Sequence, residues 1–151
     1  MQTATMTMGR TRTSGQGNRL QLSIPSRLSA IERVCGLVRG LLEQQHLERL
    51  RFEVEIVVRE CLNNAVIHGN GGHPERRVSF AMRVGRRRIC LQVADPGPGF
   101  DWRRACRRPW PGATQPTGRG LLLISTHARH VRFNSTGNRV TLWIDITREE
   151  R

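Results

Sequence analysis

The chain has 151 residues, room for one domain with a real hydrophobic core and too little for two of ordinary size. Hydrophobic residues make up 37% of it and fall in blocks, which excludes a wholly disordered chain. The formal charge of +13 comes from arginine alone, because the sequence has no lysine. That pattern fits a bias of genome composition better than a nucleic-acid site chosen residue by residue. Two local clusters, Arg86-Arg87-Arg88 and Arg103-Arg104 with Arg107-Arg108, fit either a solvated surface or a contact with a nucleotide or an acidic protein.

No apolar block approaches the roughly 20 residues needed to span a bilayer, and no apolar run follows the first charges as in a secretory signal. The expected compartment is the cytoplasm. Cys35, Cys61, Cys90 and Cys106 form no C-x-x-C pair, and the histidines form no H-E-x-x-H constellation. Reduced, mostly buried thiols and no zinc site are expected.

Residues 1–18 are rich in Thr, Ser, Gly and Gln and read as a flexible tail, leaving a domain over 19–148. Leu20, Leu22 and Ile24 alternate with polar residues, the two-residue period of a half-buried strand that Pro25-Ser26 stops. Leu28, Ile31, Val34, Cys35, Val38, Leu41 and Leu42 recur at helical steps. A second helix is predicted from Arg49 to about Gly69, with Leu50, Val54, Val57, Val58, Cys61, Leu62, Ala65 and Val66 inward and Asn70-Gly71-Gly72 ending it.

Val78, Phe80, Met82 and Val84 alternate, Gly85 turns the chain, and Ile89 to Val93 return as an antiparallel partner. The arginine- and proline-rich segment from Phe100 to Thr117 reads as a long loop or lid. Leu121, Leu122, Ile124 and Ala128 fit a short helix, and strands over Val131 to Asn134 and Val140 to Ile146 flank Gly137-Asn138 as a hairpin. The order predicts an α+β, two-layer α/β sandwich with helices on one face of a mostly antiparallel sheet.

Three motifs carry chemistry. Glu60, Asn64 and His68 stand four residues apart on the second helix, on one polar stripe of an otherwise apolar element. Magnesium takes oxygen ligands and keeps waters beside phosphates, so an amide oxygen from Asn64 suits it, and Glu60 could accept a proton from an attacking hydroxyl. A buried, hydrogen-bonded Glu-Asn-His row fits the same stripe. Asp95-Pro96-Gly97-Pro98-Gly99 follows a strand; its carboxylate can accept a hydrogen bond from the exocyclic amine of adenine, and its glycines let backbone approach a flat base. An ordinary turn also fits. Thr117-Gly118-Arg119-Gly120 opens a helix, where unpaired N–H groups suit phosphate, as does a plain helix entry.

In this order the three motifs resemble the N, G1 and G2 boxes of the GHKL ATPase superfamily, over about residues 20–147. E-C-L-N-N-A-V-I-H-G from Glu60 to Gly69 is similar to the bacterial anti-sigma-factor serine kinases, whose box reads E-x-x-x-N-A-x-x-H-G. The resemblance implies ATP and Mg²⁺ as cofactors, with Asn64 on the metal and Glu60 as general base. It further implies Asp95, Gly97 and Gly99 at adenine, Thr117, Gly118, Arg119 and Gly120 at the phosphates, and His68 near the nucleotide.

It implies as partners a STAS-domain anti-anti-sigma protein and a sigma factor, with Arg33 at the partner contact, and pairing with a second copy. Two other classes stay open: a nucleotide-gated interaction module that transfers little or no phosphate, and nucleic-acid binding through the arginine clusters. Against the second, the sequence has no basic recognition helix and no RNA-binding aromatic motif.

Overall fold

A computed structural model describes residues 18–107 and 120–146, without the side chains of residues 106 and 107. The tail expected over residues 1–18 therefore lies outside the described residues apart from Asn18. The elements are β1 (Arg19–Pro25), α1 (Leu28–Gln44), a 3-10 turn (Glu48–Leu50) leading into α2 (Arg51–Asn63), and a π-helical turn (Asn64–Gly69). There follow β2 (Arg77–Val84), β3 (Arg88–Ala94), α3 (Trp102–Arg107), α4 (Gly120–His127), β4 (His130–Phe133) and β5 (Arg139–Asp145).

The strands form one five-stranded sheet in the order β1-β2-β3-β5-β4, antiparallel throughout. Side-chain alternation and register together build its inner face. One row runs Leu22, Phe80, Val93, Val140, Phe133 across all five strands, and the next runs Leu20, Met82, Leu91, Leu142, Val131. These rows meet the apolar stripes of α1 (Ile31, Val34, Val38, Leu42) and α2 (Val54, Val57, Val58, Leu62) in a single core. Phe80 is the largest fully buried side chain there, and its truncation to alanine would cost about 3–5 kcal/mol.

The expected two-layer α+β sandwich is thus the observed one, with three local differences. The second helix begins with a 3-10 turn at Glu48–Leu50, not as regular helix from Arg49, and its last turn widens to π-helix at Asn64–Gly69. The segment expected as loop from Phe100 opens with α3. Asp101 makes this possible by accepting the backbone N–H of Arg104 at 3.0 Å, the bond of an N-cap, while Trp102 stacks on Phe133 at 5.4 Å between centroids.

Cys35 and Cys61 are buried free thiols as expected, but Cys90 is only half-buried, on the outer face of the sheet. Burial pushes the Cys61 thiol up to about 12, so it stays protonated and inert. No described helix is long and apolar enough to cross a membrane.

Candidate nucleotide site

The end of α2 and the turn that continues it meet the start of α4 on one side and the loop after β3 on another. At the start of α4, a Cβ built on Gly120 would stand 2.8 Å from Glu60 Oε2 and 3.7 Å from the amide atoms of Asn64. Glycine lets the N-terminus of α4 come this near the polar stripe of α2 without displacing the Glu60 carboxylate. That helix end presents backbone N–H groups beside the Glu60 carboxylate and the Asn64 amide, which suits a phosphate held between them.

The second approach joins the wide turn to the loop after β3. A Cβ on Gly69 would collide with the carboxylate of Asp95, and one on Gly97 would collide with the carbonyl oxygen of Gly69. Asp95 Oδ1 accepts the Gly97 N–H at 2.8 Å, which shapes the loop and leaves Oδ2 uncommitted among the described residues. Burial raises the Asp95 carboxyl above the ordinary carboxylate range, an effect the Gly97 N–H partly offsets. A half-buried acceptor at the end of a strand, walled by two glycines, can bind an exocyclic amine.

The π-helical turn explains why these approaches meet. Widening of the last turn carries Gly69 against Asp95 while Glu60 and Asn64, one turn earlier, remain against α4. The turn is fixed by Asn70, which is fully buried. Its backbone N–H bonds Ala65 O at 2.9 Å, its side-chain amide donates to Ser26 Oγ at 2.7 Å and to Arg76 O at 3.3 Å, and Ser26 Oγ donates in turn to Arg76 O. Ser26 therefore spends its hydroxyl on this latch and does not cap α1.

The residues proposed from sequence divide accordingly. Glu60, Asn64 and Gly120 come together, as do Asp95 and Gly97 with Gly69. Glu60 and Asn64 make no side-chain hydrogen bond to any described residue, so the buried hydrogen-bonded row does not form and their oxygens are available. His68 is exposed near the end of the wide turn that Asn64 opens, while Glu60 and Asn64 are half-buried.

Gly99 serves the loop's far end: its φ is +75°, and a Cβ there would strike the carbonyl of Thr136. Arg33 is exposed on α1, within the helix layer. Thr117, Gly118 and Arg119 lie outside the described residues, as do Arg108, Pro109, Pro111 and Pro116. Among the described residues no cluster of His, Cys, Asp and Glu could hold a metal by itself, so Mg²⁺ would need phosphate oxygens to complete its ligands.

Sequence reasoning alone misses three supporting residues. Gly69 reads there only as the end of a box. Asn138, which reads as hairpin turn, accepts the Asp95 N–H on its carbonyl at 3.0 Å and donates from its side chain to Gly97 O at 3.1 Å. Asn134 Oδ1 accepts the N–H groups of Gly137, Asn138 and Arg139 at 2.9, 3.0 and 3.1 Å, and its carbonyl takes the Trp102 indole N–H at 3.0 Å. The β4–β5 turn thus buttresses the Asp95 loop from behind. Paired asparagines around a glycine are the available signal.

Comparison with known families bears on this geometry. Residues 24–144 match the model of the histidine kinase-like ATPase domain. The chain belongs to that family. It is also 30% identical over 135 residues to the serine/threonine-protein kinase BtrW of Bordetella bronchiseptica, an alignment covering 85% of this chain and 94% of the relative. ATP is the ligand the family implies.

Proposed function

We propose that this chain is an ATP-dependent protein-serine kinase of the cytoplasm that phosphorylates a STAS-type anti-anti-sigma protein and binds a sigma factor, so that engaging one partner frees the other. Residues 19–148 form its kinase domain. The observation that carries the reading is the approach of Gly120 to Glu60 and Asn64, which puts an uncommitted carboxylate beside an amide oxygen and a helix N-terminus. The similarity to a serine/threonine-protein kinase along most of both chains supports it.

In this reading Asp95 accepts the adenine amine, with Gly97 and Gly99 shaping the loop beneath the base. Thr117, Gly118, Arg119 and Gly120 meet the phosphates, with His68 at the rim of the pocket. Asn64 would hold Mg²⁺, which when bound supplies charge neutralisation across the phosphates. Glu60 takes the proton from the partner's serine hydroxyl as its oxygen bonds to the γ-phosphorus; the bond from that phosphorus to the bridging oxygen breaks, and ADP leaves with the electron pair. Arg33 stands on the helix layer, where a protein partner would dock.

Incubation of the purified chain with Mg-ATP and its cognate STAS protein tests this. The expected product is phosphoserine on the STAS protein, with Glu60→Gln slowing transfer by about 10²–10⁴-fold while nucleotide still binds. Undiminished transfer by that variant would remove Glu60 from its role. Nucleotide binding without any transfer by the wild-type chain would leave a nucleotide-gated interaction module in place of a kinase.

A further inference from the structure

Charge in this molecule is sorted by layer. The carboxylates of the secondary structure sit among the helices, at Glu32, Glu43, Glu48, Glu53, Glu55 and Glu60, while the strands carry Arg19, Arg77, Arg83, Arg88, Arg132 and Arg139 against a single acid, Asp145. The helix layer settles much of its charge internally. Glu55 takes Arg39 at 2.6 Å, Arg51 at 3.0 Å and Arg59 at 3.9 Å, and Glu32 pairs with Arg59. On the sheet, Asp145 is already engaged by Arg88 at 3.2 Å and Arg129 at 3.8 Å. Among the described residues no carboxylate lies within ion-pair distance of Arg19, Arg83, Arg132 or Arg139.

Strand alternation puts these arginines on the outer face, away from the core and from the nucleotide site, and register orders them. One row across the sheet reads Arg19, Arg83, Cys90, Trp143, His130, and the next ends in Arg132 beside Thr141. Trp143 is half-buried, with the Arg132 guanidinium 5.7 Å from its ring centre. An amphipathic ring on the strand next to the sheet's edge, with Arg132 at its side and Arg83 further along its row, has the composition of a protein-binding hot spot with a charged rim.

We infer that the outer face of the sheet docks an acidic protein segment, carboxylates on Arg83 and Arg132 and an apolar side chain on Trp143. Guanidinium groups bind carboxylates through paired N–H donors, and the missing acids on this face are what such a partner would supply. A second copy fits badly, since a two-fold contact would set this arginine-rich face against itself. Single-stranded nucleic acid is the lesser fit. Sheets that bind it stack successive bases on two or three large rings, and among the described residues this face offers Trp143 with only the smaller ring of His130 beside it, in a chain without tyrosine. The inference is independent of the kinase reading, because no residue of the nucleotide site takes part.

The test uses the full chain, isotopically labelled, titrated with poly-L-glutamate and separately with oligothymidylate at low and high salt. Amide shifts confined to β2, β3, β5 and β4 on adding polyglutamate, weakened by salt and reduced about tenfold in affinity by R83E with R132E, are the expected result; tenfold corresponds to about 1.4 kcal/mol. Arg83→Gln with Arg132→Gln is the milder pair, and unchanged melting shows that either variant is folded. Shifts centred on α1, tighter binding of oligothymidylate, indifference to both variants, or sedimentation as a dimer that the variants dissociate would each overturn the inference.

Discussion

Gly120 stands so close to Glu60 that a methyl group on its Cα would lie 2.8 Å from Oε2 of that carboxylate. The group in the way is the tip of a flexible side chain, so Gly120→Ala should fold, helped by alanine's higher helix propensity of up to about 1 kcal/mol. The cost falls on chemistry, because Glu60 must swing aside. We expect a melting temperature at or above that of the wild type and phosphotransfer reduced by about tenfold or more, read from initial rates at saturating ATP.

Asp95, proposed to meet the base, carries a cost in stability. Burial raises its carboxyl in the folded state, so its stabilising contribution is present below the unfolded carboxylate value of about 3.9 and is lost as pH rises through the folded value. At neutral pH the charged form is therefore a burden. Asp95→Asn keeps the acceptor for the Gly97 N–H and sheds the charge. Thermal melts should find this variant more stable than wild type at pH 7, with the advantage shrinking as pH falls through the carboxylate range.

Gly97→Ala should behave in the opposite manner. Its new methyl group meets the backbone carbonyl of Gly69, which cannot rotate away as a side chain can. Denaturant melts should register a loss of about 1–3 kcal/mol, and nucleotide binding should fall with it because the loop and the wide turn must separate.

Asn70→Ala removes a buried amide that joins the wide turn to Ser26 and Arg76. Ser26 keeps its bond to Arg76 O, so the lost interactions are those of the amide together with the cavity it leaves. A destabilisation of about 1–3 kcal/mol is expected from chemical denaturation.

Much of the fold is legible in local sequence pattern. Alternation at Val78, Phe80, Met82 and Val84 and the stripes of α1 and α2 involve near neighbours in the chain, and they predict the layers correctly. The three boxes are legible as residue types, since Asn64 in an apolar helix and glycines beside Asp95 are costly without a reason. What stays hidden depends on distant contacts. The widened turn at Asn64–Gly69 meets Asp95 and is tied through Asn70 to Ser26, both far along the chain from it. Helix α3 is too short to form on propensity and rests on Trp102 against Phe133. Asn134 and Asn138 look like turn residues because their reach to Asp95 and Gly97 spans a separation that no local pattern records.

The most direct test of the nucleotide site is calorimetric titration of Mg-ATP into wild type, Asp95→Asn and Glu60→Gln. Asp95 is assigned to the base and Glu60 to the transferred phosphate, so Asp95→Asn should lose most of the ATP affinity while Glu60→Gln keeps it within a few-fold of wild type. ATP bound equally well by Asp95→Asn would contradict the assignment of this pocket.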